Sequence, residues 1–418
     1  MTSLNEVYSL FLSSSGVATD SRKITANHLF FALKGPNFNG NIYAENAIAN
    51  GACAAIVDSP EVADANEKCY FVEDVLQTLQ ALAQHHRNQF NIPVIALTGS
   101  NGKTTTKEFL AAVLGTTHNV LATEGNLNNH IGVPLTLLRL TENHSHALIE
   151  MGANHIGEID FLCQIAQPSH GLITNVGKAH LEGFGSEDGV LQGKTELYQF
   201  LAKKSGTVFI NKEDHKLMGA LGDNHKATYT PSEFTVLQDQ PTLKLAYNKA
   251  TINTLLVGNY NIANIAAAIC VGAAFDVPTS KSIEAIEAYT PSNHRSQLLK
   301  QNNKTIVVDA YNANPTSMHA AVTAFEKRDG TKALILGFMA ELGVHESEEH
   351  KTLVGLVESF DFDVCYWVGD AYKSLVKKGW FARTEDLIKH LQNNPIDANQ
   401  VLLKGSRSAG LENVLDVL

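Results

Sequence analysis

VIALTGSNGKTTT, residues Val94–Thr106, decides how this chain is read. The run Val94–Leu97 is short, aliphatic and uninterrupted, which predicts a strand buried on both faces. Gly99-Ser100-Asn101-Gly102-Lys103-Thr104 follows it, and Lys107–Leu114 continues with helical periodicity. Two glycines let backbone N–H groups turn toward one anion, and the helix N-terminus adds partial positive charge. Lys103 is placed to meet β- and γ-phosphates and the Thr104 hydroxyl to hold Mg²⁺. The glycines stand closer together than in the common phosphate loop, but strand, loop and helix come in the right order. Gly99, Asn101, Gly102, Lys103, Thr104 and Thr105 form the candidate nucleotide loop.

Outward from that loop the pattern is α/β. Apolar runs recur at Ala147–Ile149, Leu172–Ile173 and Val208–Ile210, then at Thr305–Val308, Ala333–Leu336, Val364–Val368 and Val401–Leu403. Polar only at their ends, they predict two largely parallel sheets. Ahead of them, apolar residues at 72, 75, 76, 79, 82 and 83 fall at helical spacing, and Asn91–Pro93 breaks that helix. Between the two strand sets lies the helix-rich stretch Gly258–Ala288. These shifts divide the chain into residues 1–85, 86–290 and 291–418. The strands end in Thr98–Gly99, Glu150, Asn175, Asp309, Gly337 and Lys404–Gly405. Ligands of open α/β sheets sit at carboxyl ends of strands, so these tails are candidates to converge; taken singly, each reads as a turn.

Composition narrows the class. The 418 residues are 44% hydrophobic and 18% charged, which excludes a disordered or collagen-like chain. A formal charge of −11 argues against a general nucleic-acid or anionic-membrane binder, though not against a local anion site. No apolar run is long enough for a transmembrane helix, and the N-terminus makes a poor signal peptide. Five scattered cysteines, none in CxxC spacing, argue against a disulfide framework or a zinc site. The chain reads as a cytoplasmic protein.

Three further residues have no role on spacing alone. Glu150 ends a strand and can ligate Mg²⁺ if that strand lies beside the loop. His180 reads as a structural histidine, and Lys194 as a solvated helix lysine. Their surroundings add what spacing does not. Gly99–Thr106, Thr123–Pro134, IEMGAN at 149–154, AHLEGFG at 179–185, DAYNANP at 309–315 and KGSR at 404–407 resemble the Mur ligases over nearly the whole chain.

The resemblance implies an N-terminal UDP-sugar-binding α/β domain, a central P-loop mononucleotide-binding α/β domain that takes ATP, and a C-terminal Rossmann-like domain. It implies an ATP-dependent ligase that joins D-alanyl-D-alanine to UDP-N-acetylmuramoyl-tripeptide through an acyl phosphate, with Mg²⁺ at two sites; a monomer that does not insert into membranes is the expectation beside it. By motif, Thr104 and Glu150 match ligands of the first Mg²⁺ and His180 that of the second. Lys194 matches a lysine carbamylated by CO₂, so the resemblance groups Lys103, Glu150, His180 and Lys194 as catalytic. Asn264, Arg295 and Asp309 match nucleotide contacts. Ser21 and Arg22 match the uridine segment, and Asn128 and Asn129 the muramoyl-peptide contact. Asn312 and Asn314 match the cleft lining, with turn chemistry before Pro315 as the competing reading. Lys404, Ser406 and Arg407 fall in the dipeptide segment, where an arginine fork can pair a carboxylate. Three stretches depart from the family pattern: Asn39-Gly40-Asn41, Asn259-Tyr260 and Phe338. A sibling ligase, a P-loop ATPase without ligase activity and a non-catalytic UDP-sugar binder are the other classes weighed.

Overall fold

The computed structural model describes residues 1–291 and 295–418; residues 292–294, just past the second division drawn above, lie outside them. In the N-terminal part, strands β1 (Gly16–Ala18), β2 (His28–Phe31), β3 (Ala54–Val57) and β4 (Cys69–Phe71) form a parallel sheet in that order. The helix predicted near residues 72–83 runs Val75–Arg87 (α1), with Asp74 capping its N-terminus by accepting from the Gln77 N–H. Its apolar stripe, Val75, Leu79 and Leu82, is buried, and Arg87 at its last turn donates to the carbonyls of Ala166 and Gln167. That one side chain satisfies carbonyls at the end of a helix in the next domain, so the two units share a seam.

The central sheet holds β5 (Val94–Thr98), β6 (Val120–Ala122), β7 (His146–Glu150), β8 (His170–Ile173), β9 (Thr207–Asn211) and β10 (His225–Tyr229), all parallel in the order β10-β9-β8-β5-β7-β6. The chain leaves β5 toward one edge and returns to its other side at β8. A crevice therefore opens at the carboxyl end of β5, where such sheets take ligands. Helices α2 (Lys103–Leu114), α3 (Glu158–Ala166), α4 (Glu187–Lys203) and α5 (Ile262–Ala274) cover its faces. A three-stranded antiparallel sheet over residues 235–253 is inserted after β10; its outer strand Thr235–Gln238 is exposed throughout, and the other two bury Leu245 and Ile252.

The C-terminal sheet runs β11 (Gln297–Gln301), β12 (Lys304–Asp309), β13 (Lys332–Gly337), β14 (Val364–Val368), β15 (Trp380–Phe381) and β16 (Gln400–Lys404), in the order β11-β12-β16-β13-β14-β15. Only β11 is antiparallel to its neighbour. The register sets Asp309 directly beside Lys404 at two adjacent carboxyl ends. Across the cleft, Asn314 donates to Asn101 Oδ1 at 2.8 Å and Lys178 pairs with Glu349 at 2.5 Å, so the central and C-terminal carboxyl ends face each other.

Candidate active site

The loop after β5 takes its shape from glycine. Gly102 has φ +76°, and a Cβ there would come within 2.8 Å of Asn264 Oδ1. Gly99 has φ +146°, and its Cβ would meet Thr174 Oγ1 at 2.0 Å. No other residue permits both the conformation and the contact. The segment after β8 holds the loop: Ser100 N–H donates to the Asn175 carbonyl at 3.0 Å, and Asn101 N–H to Asn175 Oδ1 at 3.0 Å. Lys103 Nζ, half-buried, donates to the Gly99 carbonyl at 2.6 Å. Burial pulls its ammonium below the usual lysine range, against the opposing pull of Glu150. Thr105 lines the same cleft one residue beyond Thr104.

Pairing of β5 with β7 sets Leu97 opposite Glu150 and so brings that carboxylate to the loop. Glu150 Oε1 accepts from Asn128 Nδ2 at 2.8 Å and from Thr104 Oγ1 at 3.3 Å. Oε2 is buried and has no partner among the described residues. A buried carboxylate oxygen left open beside a hydroxyl is costly unless something completes it. The oxygen-only donor set fits Mg²⁺, which takes one or two protein oxygens and leaves the rest of its shell to water and phosphate. Among the described residues no three His, Cys, Asp or Glu side chains gather into a ready cage, so an ion here depends on such outside oxygens.

His180 stands at φ +51° and Glu341 at φ +60°, both left-handed and neither glycine. Their side chains meet across the cleft, His180 Nδ1 lying 2.5 Å from Glu341 Oε2. Proximity to His180, and then to Lys103, holds the Glu341 carboxyl below its usual range. Two unfavourable backbone conformations facing each other at one point of a cleft mark a position the fold is built to keep.

Lys194 corrects the reading of it as solvated. It is 0% exposed on α4, with Nζ donating to the Ala153 carbonyl at 3.2 Å and lying 5.3 Å from the Phe184 ring centroid. Burial first, and the nearby Lys103 charge second, push its ammonium far below the lysine range; Glu158 and Glu196 oppose them. Its amine is therefore held ready to be neutral, and a neutral amine is a nucleophile. Helical periodicity cannot report this, because α4 is covered on both sides of Lys194 by the loop 151–157 and by Phe184.

From the other side, Asp309 Oδ2 accepts from Lys404 Nζ at 2.5 Å, with the lysine side chain 2% exposed. Asn264 lies against Gly102, its Nδ2 donating to Asn261 Oδ1 at 3.0 Å. Asn314 caps the helix Pro315–Glu326 and also bridges to Asn101, so turn chemistry and cleft lining are both served by one residue. Asn312 lines the cleft, while Asn129 Oδ1 accepts from the Gly132 N–H at 2.9 Å and shapes its own turn. Arg295 and Arg407 both lie near the Tyr311 ring.

These elements enclose a cavity of about 650 Å³, whose lining includes Lys103, Glu150, His180, Arg295, Asp309, Asn314 and Lys404. Ser21, Arg22, Ser406 and Arg407 stand outside that lining. Arg22, exposed in the short helical turn between β1 and β2, is paired with Asp20 at 2.9 Å. Buried Ser406 accepts from the Ala340 N–H at 2.9 Å. Asn175, one of the strand tails expected to converge, lines the cleft; sequence reasoning missed Tyr311 and Glu158 as lining residues and did not put Glu341 among the site residues, where its place after the strand end at Gly337 was the available signal.

The departing stretches have structural roles. Asn41 is buried and donates to Asp58 Oδ1 at 2.7 Å, a carboxylate that also meets Lys34 at 2.8 Å. The Tyr260 hydroxyl lies 2.9 Å from Ser296 Oγ, and Phe338 packs on Gly369.

Comparison with known proteins matches three successive parts of the chain: "Mur ligase family, catalytic domain" at residues 13–87, "Mur ligase middle domain" at 97–272 and "Mur ligase, glutamate ligase domain" at 294–407. The UDP-N-acetylmuramoyl-tripeptide–D-alanyl-D-alanine ligase of Bacillus subtilis is 35% identical over 96% of this chain and 92% of that protein. The Escherichia coli ligase of the same name is 34% identical over 97% and 94%. A crystal structure of MurF from Acinetobacter baumannii superposes with TM-score 0.87 at 29% identity, covering 99% of this chain and 98% of that one. MurF ligase from Thermotoga maritima in complex with ADP gives 0.83 at 26% identity, with 97% of each chain covered.

Proposed function

The chain belongs to the Mur ligase family, and from that premise we propose that it is the ATP-dependent ligase that adds D-alanyl-D-alanine to UDP-N-acetylmuramoyl-tripeptide, in peptidoglycan precursor synthesis. The observation that carries the reading is the single cleft in which the strand ends of two domains face each other, joined by Asn101–Asn314 and His180–Glu341. An amide ligase must phosphorylate one substrate and deliver a second to it without letting water in between. A cleft between two domains does both.

In this reading the loop amides and Lys103 hold the β- and γ-phosphates, and Asp309 and Asn264 orient the nucleoside. The tripeptide carboxylate attacks the γ-phosphorus, ADP leaves, and an acyl phosphate remains. The dipeptide amine attacks the acyl carbon, the tetrahedral adduct collapses, and phosphate departs as the amine loses its proton. Thr104 and Glu150 would hold one Mg²⁺ and His180 a second; bound there, the ions neutralise charge between carboxylate and phosphate.

Lys194, whose burial disfavours the ammonium form, is suited to attack CO₂: its nitrogen forms a bond to carbon, a proton leaves, and a carbamate anion takes the place of the amine. Asn128, through Glu150, and Asn129, through its turn, shape the tripeptide side. Ser21 and Arg22 remain our proposal for the uridine end, and Ser406 and Arg407 for the dipeptide end. The functional units are drawn at 1–85, 86–290 and 291–418. No helix among the described residues is long and apolar enough to cross a membrane. Substrates carrying a nucleotide support a cytoplasmic enzyme, which we take to act as a monomer.

The test is phosphate release from ATP with UDP-N-acetylmuramoyl-tripeptide, with and without D-alanyl-D-alanine. The expected result is turnover that requires the dipeptide. ATP hydrolysis indifferent to the dipeptide would overturn the proposal.

A further inference from the structure

Tyr311 carries two cations on one ring. The Arg295 guanidinium carbon lies 3.8 Å from its centroid and that of Arg407 lies 5.4 Å away. The arginines come from opposite ends of the domain sequence, Arg295 at the junction with the central domain and Arg407 in the turn after β16. Nothing in the chain order brings them together; the loop between β12 and the helix Pro315–Glu326 does.

That loop is fixed on both sides of the ring. Asp309 is tied to Lys404, and Lys404 Nζ reaches the Asn312 carbonyl at 3.4 Å. Asn314 is anchored by its own cap and by Asn101 of the phosphate loop. Ala310 is 2% exposed, so the backbone just before the ring is packed. A half-buried tyrosine on so constrained a loop has few positions open to it, and two flexible arginines that stack on it lose freedom in turn. Both guanidiniums repel each other, and the negative face of an aromatic ring offsets part of that repulsion.

We propose that Tyr311 is a positioning residue, holding Arg295 toward the nucleotide phosphates and Arg407 toward the carboxylate of the incoming dipeptide, so that both anions are met by arginines already in place. The proposal rests on the ligase reading given above. It assigns the ring no part in bond making: Tyr311 acts through the arginines. Holding both arginines in place beforehand lowers the ordering cost of binding, which appears in KM more than in kcat.

The test compares Tyr311→Leu with Tyr311→Phe, each also in an Arg407→Ala background. Loss of the ring raises KM for dipeptide and for ATP roughly three- to tenfold with kcat changed less than about twofold, the range expected of one cation–π contact. Tyr311→Phe keeps the ring face and stays near wild type, which a role of the hydroxyl would not allow. In the Arg407→Ala background, Tyr311→Leu adds no further rise in the dipeptide KM. Tyr311→Gln, suited to a loop, replaces the leucine variant should that one not fold.

Unchanged KM values in Tyr311→Leu, or a rise in the dipeptide KM that is equal with and without Arg407, overturn the proposal. Calorimetric ATP affinity reads the Arg295 half without any turnover. A wild-type enzyme that binds ATP but shows no dipeptide-dependent phosphate release overturns the ligase reading instead, so the two failures are distinct.

Discussion

Replacement of Lys194 by methionine tests the central electrostatic argument, because it removes the titrating amine and its bond to the Ala153 carbonyl while keeping most of the side chain's volume. The lysine is wholly buried, one carbonyl and one aromatic face are its near neighbours, and burial leads the causes that lower its affinity for a proton. The sign follows from linkage. Between its depressed folded value and the ordinary one near ~10.4, the unfolded chain binds more protons than the folded chain, so folding gains stability as pH rises. A full proton of difference contributes about 1.4 kcal/mol per pH unit within that window. The penalty is fully present below the folded value and is gone once pH passes the unfolded one. Methionine fills the space and has no such slope.

The expected outcome is that Lys194→Met melts above wild type near neutral pH in CO₂-free buffer, and that the gap narrows steadily toward about pH 10. If Lys194 takes up CO₂ as proposed, added bicarbonate raises the melting temperature of wild type alone, by mass action on the folded state. Ligase turnover of the variant falls by roughly two to three orders of magnitude, in the range of a lost transition-state contact, and short carboxylates restore part of it. A gap between the two melting curves that does not change with pH would refute the argument that burial neutralises Lys194, whatever happened to activity.

Lys404→Met leaves Asp309 without its buried partner and is expected to cost about 2–4 kcal/mol, read as a lower denaturation midpoint together with a higher KM for ATP. The double variant Lys404→Met/Asp309→Asn recovers much of that stability; a double variant as unstable as the single one would show that the pair is not the cause. Gly102→Ala combines a φ of +76° with a Cβ contact of 2.8 Å to Asn264 and is expected to lower ATP affinity about tenfold by calorimetry.

Much of the fold was legible because its cause is local. Each apolar run named above is a strand, lengthened by a residue or so where polar ends join the ladder, whereas short strands such as Val120–Ala122 and Cys69–Phe71 were not read, being only three residues long. The small antiparallel sheet over 235–253 was not legible, because its outer strand is exposed and carries no alternation. In the site, the glycines and Lys103 were readable from strand, loop and helix in series. Glu150 was readable only on condition that its strand lay beside the loop, and the sheet order met that condition.

By itself, then, the sequence determined what depends on near neighbours: the α/β class, the phosphate loop, and the motifs that place the chain among its relatives. The tertiary structure decided what depends on distant ones. Lys194 is indistinguishable from a solvated lysine until Ala153 and Phe184 close over it, because burial is set by elements some tens of residues away. The same holds for His180 against Glu341, for Asp309 against Lys404, and for two arginines on one tyrosine. Charge and proton affinity follow from solvent exclusion and from partners at a few ångströms, and only the folded chain brings those partners within reach.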